Sequence, residues 1–136
     1  MNNFVPDFLE VLTSEGWVEL KHYNKTNKIL LLNHNYKTGY LKPELVSLYP
    51  YKGVLLEVET DSCMIYLKPS SQLLCDDEIK KAKDLKKGDL INKRFMWNKI
   101  EKISEGEWQG TLINLFFGMN LLMPTRFEND YWLSIV

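Results

Sequence analysis

Tyr51-Lys52-Gly53-Val54-Leu55-Leu56-Glu57-Val58 decides how this chain is read, because it returns as Trp108-Gln109-Gly110-Thr111-Leu112-Ile113-Asn114-Leu115. Each copy runs aromatic, polar, glycine, then a stretch of mostly apolar and β-branched residues. Such residues fit a pleated, half-buried surface, and glycine punctuates a chain where it turns. Each copy therefore predicts a strand launched from a glycine turn. An internal echo can reset the whole fold, since repeated units share one core. Two copies are too few for a solenoid, so a duplicated half-domain is expected.

The flanking sequence carries compatible signals. Phe8 to Leu12 is apolar-rich, Ser14-Glu15-Gly16 reads as a turn, and Trp17-Val18-Glu19-Leu20 alternates faces. Lys28 to Asn33 predicts a buried strand, Asn33 to Gly39 a hairpin loop, and Tyr40 to Leu48 a returning segment with Pro43 at an edge or bulge. Gly53 to Thr60 and Met64 to Leu67 form a strand pair around Asp61-Ser62-Cys63. Asp76 to Leu85 predicts one short helix or helical turn, followed by a strand from Leu90. Arg94 to Ile103, Thr111 to Phe117 and Leu121 to Phe127 complete a β-rich second half. The echo also extends loosely from Gly16–Leu20 leading to Ile29, to Glu78–Leu85 leading to Leu90. Many short strands with regular turns and at most one or two helical turns predict an all-β fold, a single domain over residues 1–136.

Composition narrows the function classes. With 45% hydrophobic and 26% charged residues, the chain is an ordinary globular one, long enough for a core without staples. Its apolar runs, such as Ile29 to Leu32, are far short of a membrane span, and the N-terminus lacks the pattern of a signal peptide. The expectation is a cytoplasmic protein with no membrane partner. Seventeen basic and 18 acidic residues leave a net charge of −1, which disfavours nucleic acid as a partner. The one basic concentration, Lys80, Lys81, Lys83, Lys86 and Lys87, is interleaved with Asp76, Asp77, Glu78, Asp84 and Asp89, a self-compensating solvated face. Cys63 and Cys75 have no metal-ligand spacing and read as reduced structural thiols, and His22 and His34 as surface residues. No metal and no cofactor are expected. Trp17, Trp97, Trp108 and Trp132 read mostly as core or half-buried sheet residues.

In order along the chain, Val11-Leu12-Thr13-Ser14-Glu15-Gly16-Trp17, Leu32 through Thr38-Gly39, Tyr51 to Thr60, Ala82-Lys83-Asp84-Leu85-Lys86-Lys87-Gly88-Asp89 and Trp108 to Leu115 match a known set of motifs. Together they resemble a Hint (hedgehog/intein) domain over nearly the whole length, with Ala82 to Asp89 the most diagnostic piece. The resemblance implies a pseudo-twofold duplicated β fold, which accounts for the echo. It also implies self-processing chemistry, in which a backbone amide shifts onto an N-terminal Cys or Ser side chain. A Thr-x-x-His element then protonates the departing amide nitrogen, and splicing members finish with His-Asn.

This chain departs from the pattern at all three stations. Met1 to Asp7 contains no Cys, Ser or Thr. Lys68-Pro69-Ser70-Ser71 falls where Thr-x-x-His is expected, so Lys68 replaces the threonine and Ser71 the histidine. A serine hydroxyl does not titrate near neutrality and cannot substitute for imidazole as an acid. The C-terminal Tyr131 to Val136 has no His-Asn pair.

The expected function is therefore a catalytically inactive Hint-like binding module, not an enzyme. It would hold a small anionic, nucleotide-like ligand or a host protein partner in the former cleft, with Lys68, Ser71 and Arg126 as ligand-binding residues. Many Asn and Lys residues in a short stand-alone chain would suit a bacteriophage or mobile-element protein. The alternatives are a self-processing or peptide-cleaving enzyme rewired around Ser71 or a cysteine, and a structural component of a larger assembly. Oligomeric state is left open.

Overall fold

The two echo stretches pair with each other. They lie in β6 (Leu45–Thr60) and β11 (Met96–Phe116), which run antiparallel with Tyr51 opposite Gly110, Lys52 opposite Gln109 and Gly53 opposite Trp108. The computed structural model describes residues 4–93, 96–128 and 130–136. Met1 to Asn3, and the start at Arg94-Phe95 of one expected strand, lie outside the described residues.

The pairing corrects the expected role of the glycines. Gly53 and Gly110 sit in mid-strand, not in turns, and neither has a positive φ. Directly opposed residues share a sheet face, and so do residues two apart on one strand. Tyr51, Gly53, Trp108 and Gly110 therefore all point the same way. A Cβ at Gly110 would fall within 2.9 Å of three Trp108 ring atoms, and one at Gly53 would fall 2.9 Å from the Tyr51 hydroxyl oxygen. Each aromatic ring folds along its own strand over the glycine two residues on, and the two rings stand 6.3 Å apart. The motif is a ring and its seat, made twice.

Around this ribbon the halves repeat one another. The first contains β1 (Phe4–Pro6), β2 (Glu10–Thr13), β3 (Gly16–Glu19), a 3-10 turn (Leu20–His22), β4 (Ile29–Leu32), β5 (Thr38–Leu41) and β6. The second contains β7 (Met64–Leu67), β8 (Gln72–Cys75), β9 (Glu78–Lys81), a 3-10 turn (Ala82–Asp84), β10 (Leu90–Lys93) and β11. Even individual hydrogen bonds recur. The amides of Leu20 and Lys21 donate to the carbonyls of Leu9 and Asp7; at the same offset, those of Ala82 and Lys83 donate to Ser71 and Pro69. β1 pairs with β11 as β7 pairs with β6. The helix expected within Asp76 to Leu85 is only its last turn. Asp76 and Asp77 both adopt positive φ, 51° and 61°, and close a two-residue hairpin between β8 and β9.

A final hairpin, β12 (Leu122–Arg126) and β13 (Tyr131–Ile135), stitches the halves. β12 pairs with β2 and β4, and β13 pairs with β8 through Ser134 opposite Leu73. The main core includes Leu9, Val11, Ile29, Val58, Ile65, Leu73, Ile91, Ile100 and Trp132. A smaller apolar cluster of Leu32, Leu122, Leu133 and Ile135 lies apart from it. No described helix is long and apolar enough to cross a membrane.

Candidate functional site

Ser71 sits in a short connection whose backbone is clamped on both sides. Its amide donates to the Lys68 carbonyl at 2.9 Å, and its own carbonyl accepts from Ala82 at 2.7 Å. That clamp aims a buried hydroxyl at the N-terminal strand, where Ser71 Oγ donates to the Phe4 carbonyl oxygen at 3.3 Å. Lys68, three residues earlier, is half-buried, and its ammonium lies 5.7 Å from the centre of the Phe4 ring and 5.6 Å from that of Tyr51. Such placements over aromatic faces are attractive electrostatically. The Tyr51 ring of the echo motif thus forms one wall of the site.

The C-terminal strand arrives at the same point. Trp132 and Ser134 line a cavity with Phe4, Val5, Leu9, Tyr66 and Ser71, and its volume is about 10 Å³. That is about the space of a single water. Ser134 Oγ is hydrogen-bonded to Thr125 Oγ1 at 2.8 Å. All three stations singled out in the sequence are therefore brought together, at Phe4, at Lys68–Ser71 and at Ser134. Among the described residues lining this cavity, none is a histidine, a cysteine or a carboxylate. Tyr66, the phenol in the wall, is pushed above its ordinary pKa by burial and by Glu57 and Glu128.

Arg126 is not part of this site. Its Nε donates to Glu10 Oε1 at 3.0 Å and its second nitrogen to Oε2 at 3.3 Å, while its guanidinium stacks 4.3 Å over Trp17. A forked, charge-assisted pair of this kind commits the group. The reason it looked available is that sequence shows a strand arginine but not Glu10 across the β2–β12 pairing.

The remaining candidates are accounted for. His22 is exposed, with Nε2 3.9 Å from Glu19, and His34 is exposed in the β4–β5 loop. Both cysteines are free and buried. Burial pushes the Cys63 thiol up, and the Cys75 thiol is pushed up to about 12 by burial and the charges of Asp76 and Asp89. Neither is a ready nucleophile, since the thiolate is the reactive form. Cys75, Asp76 and Asp89 do approach within 4.8 Å of one another. However, Lys80 Nζ already lies 3.6 Å from Asp76 and 3.7 Å from Asp89, supplying the cation.

Phe4, Trp132 and Ser134 went unrecognised in the sequence. Nothing local marks them; they become site residues through the register of β1 on β11 and of β13 on β8.

No protein-family model matches the chain, and no curated protein does. Solved structures do. An intein-like domain from Clostridium thermocellum matches with a TM-score of 0.79 at 14% identity, covering 98% of this chain and 97% of that one. A DnaB intein from Synechocystis matches at 0.74 with 16% identity, covering 98% of each chain. The gp41-1 intein matches at 0.71 with 21% identity, again covering 98% of each. The chain thus has the all-β, Hint-like fold that its motifs implied. At these identities the likeness carries the fold, and function must be argued from the site.

Proposed function

We propose that this chain is a Hint-fold binding module that does not process itself. One observation carries the reading: where the N-terminal strand, the Lys68–Ser71 segment and the C-terminal strand meet, no described lining side chain is a histidine, a cysteine or a carboxylate. Amide rearrangement needs a nucleophile activated by a base and a leaving nitrogen protonated by an acid. Phe4, Lys68, Ser71 and Ser134 offer none of these pairings. The ligand proposed is a small anionic molecule or a protein partner contacted at Lys68. It would be met at the surface, since the cavity beneath is too small to enclose it. A bacteriophage or mobile-element origin, with such a ligand sequestered, is part of the same proposal.

A self-processing enzyme is the second reading. The Ser71 hydroxyl already touches the Phe4 carbonyl, and the solved proteins of this fold include inteins. Fusing well-folded tags to both termini separates the two. The fusion is expected to keep its full mass over days between about pH 6 and 9, and a cleaved or rejoined product that vanishes in Ser71→Ala would overturn the proposal. Thermal-shift measurements against a nucleotide panel test the ligand. A stabilisation lost in Lys68→Ala supports the contact, and no stabilisation by any anion removes it.

A further inference from the structure

A far larger cavity, about 540 Å³, lies on the other face of the strands that build the Ser71 site. Along β8, Leu73 points into the main core and Gln72 and Leu74 to the other side; along β13, Trp132 and Ser134 point inward and Ile135 outward. The cavity is lined by Leu74, Ile79, Leu121, Leu122 and Ile135, with Tyr36 and His34 contributed by the β4–β5 loop. It shares no lining residue with the cavity at Ser71. The sequence pattern behind it is unusual for a solvent-facing sheet surface, which ordinarily alternates to polar. Ile79 is 55% exposed directly opposite half-buried Leu74, so this apolar wall is left uncovered. A volume of this size, apolar with a few polar groups at its rim, is that of a small-molecule site.

The charge at the rim chooses the ligand. Of the described lining residues, Asp77 is the only carboxylate, and none is a lysine or an arginine. The neighbouring ammonium of Lys80 is held by Asp76 and Asp89. One Asp77 oxygen accepts from Asn92 Nδ2 at 3.4 Å, and the Asp77 amide donates to Asn92 Oδ1, which fixes the carboxylate at the hairpin tip. We infer that this cavity binds small molecules with an apolar, ring-sized body and one basic amine. The body lies on Leu74, Ile79, Leu122 and Ile135, and the amine meets Asp77. The site does not depend on whether the Hint chemistry is retained, because the two cavities occupy opposite faces.

Three probes with one ring system and different charge test this: 2-(1-naphthyl)ethylamine, its neutral N-acetyl derivative and 1-naphthaleneacetate. Methyl resonances of Leu74, Ile79, Leu122 and Ile135 are followed during titration of the full chain. The amine is expected to shift them saturably and to bind at least about threefold more tightly than the neutral probe, the scale of a partly exposed ion pair. The acetate is expected to bind most weakly. Asp77→Asn retains a side chain that tolerates the positive φ of 61° at this position. It should erase the preference for the amine over the neutral probe. Ile79→Lys, at an exposed position, should abolish binding of the amine while leaving the melting temperature close to that of the parent. The inference fails if no probe shifts these methyls, if the acetate or neutral probe binds as tightly as the amine, or if Asp77→Asn leaves the preference intact.

Discussion

Leu9 and Ser71 occupy the same place in the two halves of the molecule. The Leu9 carbonyl accepts the amide of Leu20 at 2.8 Å, and the Ser71 carbonyl accepts the amide of Ala82 at 2.7 Å. Both side chains are buried, and both line the small cavity beside Phe4. One half fills the position with an apolar core residue; the other directs a hydroxyl at the Phe4 carbonyl. The backbone frame is common to both halves, so any chemistry at this point depends on single side chains. For the same reason, what the chain does rests on these side chains rather than on the fold it shares with inteins.

Truncating the two side chains should therefore have unequal effects. Leu9→Ala removes a fully buried leucine and should cost about 2–5 kcal/mol in chemical denaturation. Ser71→Ala removes one long hydrogen bond and should cost about 0.5–1.5 kcal/mol. Equal losses would mean that Ser71 is as structural as its counterpart. The glycine seats offer a second comparison. Gly110→Ala forces Trp108 off its own strand and should cost about 1–3 kcal/mol, whereas Gly53→Ala meets the far end of Tyr51, which can swing aside, and should cost about 1 kcal/mol or less. If the two alanine variants melt together, the ring-over-glycine account of the motif is wrong.

That motif also shows where sequence reading stops. The aromatic-x-Gly signal located both long strands, because strand propensity is local and survives in a short window. It misassigned the glycine, because a turn and a ring lying over a strand use the same residues. Lys68 and Ser71 were found through the order of motifs along the chain, and the structure sets them beside the N-terminal strand. Phe4, Trp132 and Ser134 were not found, since strand register is a long-range property that no local pattern contains. Asp76 and Asp77 were drawn into a helix by their neighbours, yet two positive φ values make them a hairpin turn. Arg126 was misjudged for want of Glu10, more than a hundred positions away.

The two candidate cations give a third, smaller contrast. Arg126→Ala loses both the Glu10 fork and the stacking on Trp17 and should cost about 1 kcal/mol. Lys68→Ala, whose ammonium has only ring contacts among the described residues, should stay within about 0.5 kcal/mol while altering ligand response. A large loss of stability in Lys68→Ala would mark it as a structural residue.

The smallest effect concerns Thr13 and Cys75, again one position in two halves. Thr13 Oγ1 donates to the Gly16 carbonyl at 2.7 Å and accepts the Glu15 amide at 3.1 Å, closing its hairpin. Cys75 begins the matching hairpin with a thiol held up to about 12 by burial and by Asp76 and Asp89, partly offset by Lys80. In the unfolded chain a thiol titrates near 8.5. The folded state therefore holds a proton that the unfolded state releases as pH rises, so the stability linked to Cys75 is complete below about pH 8.5 and is lost progressively toward 12. Cys75→Thr transplants the residue of the other half, whose hydroxyl has the Glu78 carbonyl in the place of Gly16. At pH 7 it should lie within about 1 kcal/mol of the parent. From pH 8 to 11 its melting temperature should fall less steeply than the parent's, the remaining slope coming from groups that both proteins share. Parallel slopes would show that the Cys75 thiol ionises equally easily folded and unfolded, and that the two hairpins differ in no more than their hydrogen bonds.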